Sequence, residues 1–444
     1  MRNLAKGVSR SSYNVELSTI RNSASCGLRQ FSTEEMELKH SRFRKRRPDL
    51  DERTSLAMMA IQKHYTSRGG TRERYFRVLD KGVAEQFADL IMSHPAINPS
   101  YVAEISPAFG LLTRELLDAG VPKINLFESM EHFCPDLTYI EEEYPGRVDV
   151  KKMSYDDVCL AHYRDLLNGT DKFPELMKGV EERSWDDEPT YHIIGAVPDN
   201  VFITRILNMV IHRDSLAKYG RLVLHLGIPE NVWAVSITLS SGNKNYRYYT
   251  WRSILFQSLF SYRLLGTLPR MAFCPKFTKR SKRPKQWTVV PKYDMNKICV
   301  VRIEAKCDLY KYGLTEQDIV PLCHFVKHQY RRRKGKVIPE MERWVPGCGR
   351  ELIAAGYDVI TQFGELLPHE IIKLFLLFKS WPGYKKSSFL SMLDTFPKRM
   401  DEETVLGTSS DKIDEMFKVS RDAFSAEAQL ESSQHRDQSA DKLE

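Results

Sequence analysis

Between residues 70 and 310, short runs of β-branched and apolar residues alternate with segments whose apolar residues recur at helical spacing. This alternation constrains the fold more than any other feature of the sequence, because strands that are separated by helices form a parallel, doubly wound α/β sheet. The predicted helices include Val83–Met92, Leu112–Ala119 and Asn200–His212. The predicted strands are, in chain order, Tyr101–Ile105, Lys123–Phe127, Val148–Lys152, Tyr191–Ile194, Leu222–Leu226 and Ile298–Ile303.

The pattern changes to helices alone between Thr315 and Leu393, and a domain boundary is therefore predicted near residue 310. The helices predicted there are Asp318–Tyr330, Glu351–Ala355, Leu367–Leu377 and Ser387–Leu393. The chain is predicted to consist of five parts: a targeting segment (1–31), a basic linker (32–69), an α/β domain (70–310), a helical domain (311–400) and an acidic disordered tail (401–444).

Charge is distributed unevenly along the 444 residues. Residues 401–444 contain 12 acidic and five basic side chains, whereas residues 1–400 contain 61 basic and 46 acidic ones, a net charge of +15. A body this basic suits a polyanionic partner such as nucleic acid, although a solubilising surface charge explains it equally well.

The eight cysteines include no C-x-x-C pair, which predicts free thiols. No metal site is predicted, because His324 and His328 have helical spacing but lack a third ligand.

The first 31 residues are basic, rich in serine and poor in acid. They contain five Lys or Arg side chains, one acid (Glu16) and six serines, without the apolar block that a secretory signal requires. This composition predicts a mitochondrial presequence, with processing near Arg29-Gln30-Phe31-Ser32. A disordered basic tail is the alternative. In the whole sequence, no stretch reaches the ~18 uninterrupted apolar residues of a membrane-spanning helix.

The segment Glu104-Ile105-Ser106-Pro107-Ala108-Phe109-Gly110 places an acid at the end of a predicted strand, followed by a tight turn and a predicted helix. This arrangement can hold a nucleotide-like cofactor at the helix N-terminus. Glu128 lies at the end of the next predicted strand, where an acid would hydrogen-bond ribose hydroxyls. Because the turn contains a single glycine, an ordinary strand-to-helix connection is the alternative.

Residues 104–120 resemble the first motif of the rRNA adenine N6,N6-dimethyltransferases, which is Glu-Ile-Gly-Pro-Gly-x-Gly-x-Leu-Thr followed by a Leu-Leu-x-x-Gly helix. The resemblance spans roughly residues 70–380, and Arg74-Tyr75-Phe76-Arg77 stands where the family has its Gln-Asn-Phe-Leu cofactor segment. It implies a Rossmann-like class I fold that depends on S-adenosylmethionine (SAM), with a small all-helical C-terminal domain. The residues that this resemblance assigns to SAM binding are Arg77, Ser106, Glu128 and Ser154.

Several motif residues depart from the family pattern. Ser106 and Ala108 replace two turn glycines, and Ser154 stands where the family has the aspartate that holds the adenine amino group. The family motif Asn-Leu-Pro-Tyr/Phe is replaced by Ala196-Val197-Pro198-Asp199. Methylating an adenine N6 requires a flipped base, an aromatic ring to stack on it and an oxygen that accepts its amino hydrogens. These replacements imply weak or vestigial SAM binding and a catalytic motif that has decayed.

Within the family, the chain resembles the second paralogue of the mitochondrial transcription factor B proteins, which combine a presequence, a methyltransferase body and decayed motifs. The resemblance implies a transcription initiation factor of the mitochondrial matrix nucleoid. Its partners would be the mitochondrial RNA polymerase and the single-stranded bubble of promoter DNA, which it would help to melt. One alternative is an active SAM-dependent dimethyltransferase of mitochondrial small-subunit rRNA. Another is a ribosome-assembly protein that binds the rRNA hairpin without chemistry.

Two basic segments are predicted to contact nucleic acid. Segment 276–287 combines six cations with two aromatic residues, which is typical of single-strand binders. Its predicted binding residues are Lys276, Lys279, Arg280, Lys282, Arg283, Lys285 and Trp287. The second segment is Arg331, Arg332 and Arg333, at the end of a predicted helix. A solvated loop or helix end is the alternative for each segment.

Overall fold

The structure is a computed structural model that describes residues 52–66, 75–93, 101–189, 191–237, 249–275, 294, 296–308 and 313–393. The predicted presequence, most of the predicted linker, the basic segment 276–287 and the acidic tail lie outside these residues. From Leu56 onward the described residues belong to one compact unit, and Glu52–Ser55 is the described part of the preceding unit.

The described strands form two sheets. The strands are β1 (Arg77–Val78), β2 (Tyr101–Ile105), β3 (Ile124–Phe127), β4 (Val148–Lys151), β5 (Tyr191–Ala196), β6 (Leu222–Pro229), β7 (Phe260–Pro269), β8 (Phe273–Cys274) and β9 (Lys297–Ala305). Seven of them make one sheet in the order β4-β3-β2-β5-β6-β9-β7, and β1 pairs with β8 in a separate antiparallel ribbon.

The alternation of strands and helices correctly predicts an α/β fold but not the direction of every strand. Strands β4, β3, β2, β5 and β6 are parallel to their neighbours, as expected. Strand β9, however, runs antiparallel to both β6 and β7, so the prediction of a wholly parallel sheet is wrong at this edge. Parallel neighbours require a crossover helix, and the described residues between β7 and β9 contain only the 3-10 turn Arg270–Ala272 and β8.

Thirteen α-helices have both ends within the described part of the chain. They are α1 (Glu52–Thr66), α2 (Lys81–Met92), α3 (Leu111–Asp118), α4 (Cys134–Glu143), α5 (Tyr155–Asn168), α6 (Lys172–Leu176), α7 (Val201–His212), α8 (Glu230–Ile237), α9 (Trp251–Leu259), α10 (Ile319–Gln329), α11 (Val337–Glu342), α12 (Gly349–Ala354) and α13 (Pro368–Ser380). A further helical segment covers 388–393. None of the described helices is both long and apolar enough to cross a membrane.

The core lies on both faces of the large sheet, because successive strand residues point to opposite sides. Val102 of β2 packs in a cluster with α2, α3 and α4, whereas its neighbours Tyr101 and Ala103 pack on the other face with α5 and α7. The second cluster continues to Phe325 of α10 and Phe375 of α13. The described helices after residue 313 therefore bury their apolar side chains in a core that is continuous with one face of the sheet, and the predicted domain boundary stays a prediction.

Two histidines of α10 pack against aromatic side chains of this core. His324 packs on the ring of Phe389 at 5.4 Å, and His328 packs on Trp344 at 4.9 Å between ring centroids. Burial lowers the pKa of His324 to about 3 and that of His328 to about 4, with neighbouring cations adding to the effect. Both imidazoles are therefore neutral aromatic packing groups at neutral pH. The seven described cysteines are free thiols, as predicted, and Cys307 is the exposed one among them.

Candidate functional site

The carboxyl ends of β2, β3 and β5 meet at one edge of the sheet, which is where open α/β sheets bind their ligands. Ser106 follows β2, Glu128 follows β3, and Val197 follows β5. The Ser106 amide donates a hydrogen bond of 2.9 Å to the Phe127 carbonyl, which fixes the turn after β2 against the end of β3. Three of the four residues predicted to bind SAM, namely Arg77, Ser106 and Glu128, are brought together here.

The turn after β2 has the backbone of a glycine turn. Ser106 and Ala108 have φ values of 52° and 55°, and Gly110 has a φ of 68°. An L-residue with a side chain pays roughly 1–2 kcal/mol for this left-handed conformation, whereas glycine does not. The two residues that replace the family's glycines thus retain the backbone conformation that glycine favours.

Gly110 is the turn residue that no larger side chain can replace without strain. A Cβ at this position would lie 2.2 Å from the Ile140 Cδ1 atom, in addition to the cost of the positive φ. We expect Gly110→Ala to lower the free energy of unfolding by about 2–4 kcal/mol in denaturant titrations. Gly120→Ala is the matched control, since Gly120 also has a positive φ but a Cβ there would meet no heavy atom within 4 Å. Equal losses in the two variants would contradict the steric explanation.

The Glu128 carboxylate accepts four hydrogen bonds from the protein itself. The Arg77 Nε donates to Oε2 at 3.1 Å and the Arg77 Nη2 donates to Oε1 at 2.6 Å. The Ala108 amide also donates to Oε2, at 3.3 Å, and the Met130 amide donates to Oε1, at 2.9 Å. The side chains of both members of this ion pair are almost fully buried, at 3% exposure for Arg77 and 0% for Glu128. The acid expected to bind ribose is therefore held by an internal cation.

Glu104, the acid at the end of β2, lies behind the turn. Its Oε2 accepts a 2.8 Å hydrogen bond from the Thr113 hydroxyl of α3, and the residue is 2% exposed. Burial raises the pKa of Glu104 to about 7, the Thr113 hydrogen bond opposes this rise, and the negative charge of Glu128 adds to it. This carboxyl thus titrates near neutral pH, and its protonation changes the charge at the edge of the sheet.

The segment before β1 covers the ends of β2 and β5. The Phe76 amide donates to the Ala196 carbonyl at 2.9 Å, and the guanidinium of Arg270 lies 4.1 Å from the centroid of the Phe76 ring. The cavity left at the end of β2 measures about 10 Å³, roughly the minimum for a single water molecule. Its lining residues are Phe76, Val78, Phe87, Glu104, Ile105, Ser106, Pro107, Leu112, Gly195 and Ala196.

The residues present at this edge do not fit SAM in the conformation described. Pockets for ligands of this size enclose roughly 300–1,000 Å³, far more than the cavity at the end of β2. A larger open groove of about 580 Å³ lies near the start of α4, but none of the four residues predicted to bind SAM lines it. Its lining residues are Glu131, Cys134, Pro135, Thr138, Tyr139, Glu142 and Lys152.

Ser154, the fourth residue predicted to bind SAM, begins a helix. It is the N-cap of α5, and its hydroxyl accepts a 3.2 Å hydrogen bond from the Asp156 amide. Serine is among the best residues for this capping function. The Asp156 carboxylate in turn accepts a 2.6 Å hydrogen bond from the Tyr75 hydroxyl and forms an ion pair with Arg205.

The segment Ala196–Asp199 at the end of β5 also has a structural function. Ala196 and Val197 are buried, and the Val197 amide donates to the Gly227 carbonyl at 2.9 Å. Asp199 is partly exposed, and its Oδ1 accepts a 2.9 Å hydrogen bond from the Val201 amide at the start of α7. The motif thus continues the sheet and supports a helix N-terminus, without an amide side chain or an aromatic ring.

The three arginines of the second basic segment differ in their environment. Arg331 and Arg332 are exposed in the 3-10 helix Tyr330–Arg332. Arg333 is partly buried, and its Nη1 donates to the Tyr249 carbonyl at 2.9 Å. Arg331 and Arg332 therefore remain the residues of this segment best placed for a partner, whereas Arg333 joins two parts of the helical core. The residues of segment 276–287 lie outside the described chain.

Sequence patterns could not identify several groups of this site. Two of the four donors to Glu128 are backbone amides, and any residue at position 108 or 130 other than proline would supply them. Arg270 was also missed, because its buried position against Phe76 depends on the β1–β8 ribbon rather than on a local motif. Arg77 was predicted to bind a cofactor, and its direct contact with Glu128 was missed.

The sheet order, the single antiparallel strand, the helices on both faces and the turn after β2 define a class I SAM-dependent methyltransferase fold. No family model matches the sequence. The chain is 30% identical over 337 residues to the Drosophila melanogaster protein named dimethyladenosine transferase 2, mitochondrial, covering 66% of this chain and 73% of that protein. It is 32% identical over 308 residues to the Bos taurus mitochondrial dimethyladenosine transferase 1, covering 68% of this chain and 76% of that protein.

Among solved structures, the 23S rRNA methyltransferase ErmE superposes with a TM-score of 0.41 at 15% identity, covering 68% of this chain and 99% of that chain. The two relatives establish the family by their identity and coverage. This chain belongs to the mitochondrial dimethyladenosine transferases, within the rRNA adenine N6,N6-dimethyltransferase family, as the resemblance predicted. Membership supports SAM as the cofactor class of the scaffold and a mitochondrial location.

Proposed function

We propose that this protein is a mitochondrial transcription initiation factor, which assists the mitochondrial RNA polymerase in melting promoter DNA and no longer methylates adenine efficiently. The observation that supports the proposal most directly is the motif after β5. Ala196 is 1% exposed and its carbonyl is occupied by the Phe76 amide, while Asp199 supports the start of α7. Neither side chain can stack on a flipped base or offer it the amide oxygen of an asparagine.

The basic surface is consistent with a nucleic-acid partner of this factor. Arg331 and Arg332 extend from the helical core into solvent, where cations can contact phosphates. The sequence of segment 276–287 supplies six further cations and two aromatic residues, which can bind unpaired strands. In this proposal the promoter bubble takes the place of the rRNA hairpin.

A run-off transcription assay tests the proposed function. The cognate polymerase would be supplied with and without residues 32–444, on a duplex promoter template and on the same template with a pre-melted bubble. We expect transcript from the duplex template only when the protein is present. The pre-melted template should give transcript even when the protein is absent. A duplex transcript that does not depend on the protein would contradict the proposal.

Replacing both exposed arginines should weaken binding to nucleic acid without unfolding the protein. For Arg331→Ala/Arg332→Ala we expect weaker binding to a single-stranded promoter oligonucleotide. The slope of log K against log salt should fall by roughly 1.4, because each lost phosphate contact on a single strand contributes about 0.7. Fluorescence anisotropy at several salt concentrations measures both quantities. Arg343→Ala is the control, since Arg343 is also exposed and lies outside the predicted binding segment. An equal change of slope in this variant would show that the effect is not local.

The second candidate function is an active dimethyltransferase of mitochondrial small-subunit rRNA, and the names of the relatives favour it. It predicts transfer of tritiated methyl groups from SAM to the adenines of an rRNA hairpin loop. The same protein preparation should be offered this RNA in parallel with the transcription assay. Label on the hairpin adenines without any promoter-dependent transcript would replace the proposed function with this one.

A further inference from the structure

We infer that Arg77 is an internal substitute for the cofactor: its guanidinium occupies the Glu128 carboxylate that would otherwise hold a ribose, and thereby excludes SAM from the cleft. This inference rests on the proposed loss of methylation and deepens it, because it identifies one residue that weakens cofactor binding. The test measures SAM binding alone. The inference can therefore fail while the proposed transcription function stands, and the transcription function can fail while the inference stands.

The Glu128 carboxylate can accept only a limited number of hydrogen bonds. An ionised carboxylate offers about four lone-pair positions. In Glu128 each oxygen receives one N–H from Arg77 and one backbone N–H, from Ala108 or Met130. Two vicinal ribose hydroxyls would need two of these positions. The two backbone donors are fixed by the turn and by β3, so Arg77 is the partner that a ribose would have to displace.

Arg77 is held in a fixed position. Its strand β1 pairs with β8, with Arg77 opposite Cys274 and Val78 opposite Phe273. On the N-terminal side, the Phe76 amide bonds to the Ala196 carbonyl and the Tyr75 hydroxyl bonds to Asp156. The guanidinium is thus attached to a segment that is held at three separate points. The Arg77 side chain itself is 3% exposed, so its guanidinium is not free to turn into solvent.

The residue type at position 77 differs from that of the family motif. Arg77 aligns with the leucine of the Gln-Asn-Phe-Leu segment that the family uses for its cofactor. Leucine has no hydrogen-bond donor, so at this position it would leave both carboxylate oxygens of Glu128 available to a ribose. The change from leucine to arginine adds two charge-assisted hydrogen bonds in a site that is closed to water, and these are the strongest class of hydrogen bonds in proteins.

The test is binding of SAM to residues 32–444, measured by titration calorimetry and by equilibrium dialysis with tritiated SAM. We expect no saturable binding to the wild-type protein up to 1 mM, and at least tenfold tighter binding to Arg77→Leu. Arg77→Leu/Glu128→Gln is the matched control. The glutamine amide keeps the volume of Glu128 but is uncharged and has a single acceptor oxygen, so the gained affinity should be lost again.

Two results would overturn the inference. One is saturable binding by the wild-type protein well below 1 mM, which needs no variant at all. The other is that no folded variant at position 77, judged by circular dichroism, binds SAM better than the wild type. Because Arg77→Leu leaves Glu128 buried without its cation, Arg77→Gln is the second variant, which retains a polar side chain. Gain of binding in either folded variant supports the inference, and absence of a gain in both contradicts it.

Discussion

Glu128→Ala is expected to lower the free energy of unfolding by about 3–5 kcal/mol, the largest loss that we expect from a single substitution in this protein. The physical reason is that Arg77 remains buried while its two charge-assisted hydrogen bonds to the carboxylate are lost. A guanidinium cannot release its proton to escape this cost, because its pKa is too high. Urea unfolding at constant pH measures the effect.

The double variant Arg77→Met/Glu128→Leu is the control for this prediction. Replacing both members of a buried ion pair by apolar residues of similar volume is often nearly neutral, so most of the stability should return. A double-mutant cycle then gives the coupling between the two side chains. A Glu128→Ala protein that is as stable as the wild type would mean that the pair is not formed in solution, and the explanation for SAM exclusion would lose its basis.

Glu104 is expected to make the stability depend on pH around neutrality. Its pKa is raised by burial to about 7 in the folded protein, compared with an ordinary value of 4.5. Between about pH 4.5 and 7, the folded state therefore holds a proton that the unfolded state has already released. The contribution of Glu104 to the free energy of unfolding falls as the pH rises through this range, and it is constant above pH 7. The total loss is about 3 kcal/mol, because each pKa unit corresponds to about 1.4 kcal/mol.

The variant Glu104→Gln isolates this contribution. The amide oxygen can still accept the hydrogen bond of Thr113, but the side chain no longer ionises. We expect the variant to be more stable than the wild-type protein at pH 8 and to lose this advantage as the pH is lowered to 5. Denaturant titrations at several pH values measure the difference. A constant difference across this range would show that Glu104 does not titrate near neutrality.

The sequence predicted the elements that build the site because each depends on local spacing. Strand β2 has the predicted bounds, and β3 and β4 differ from their predicted ranges by one residue. Helices α3 and α7 also begin within one residue of the predicted start. Strand β7 was missed because it lies at the edge of the sheet with most of its residues exposed, so it lacks the buried, β-branched pattern of the central strands.

The sequence by itself determined the α/β class, the order of the motifs along the chain and the family, since these depend on periodicity and on residues that are close in sequence. It also led to the prediction that Ala196 and Asp199 are unsuited to adenine chemistry, because their side chains lack the required groups. Only the tertiary structure decided that Arg77 and Glu128, 51 residues apart, face each other. That contact depends on the pairing of β1 with β8 and on the turn after β2, and no local pattern encodes how these distant segments meet.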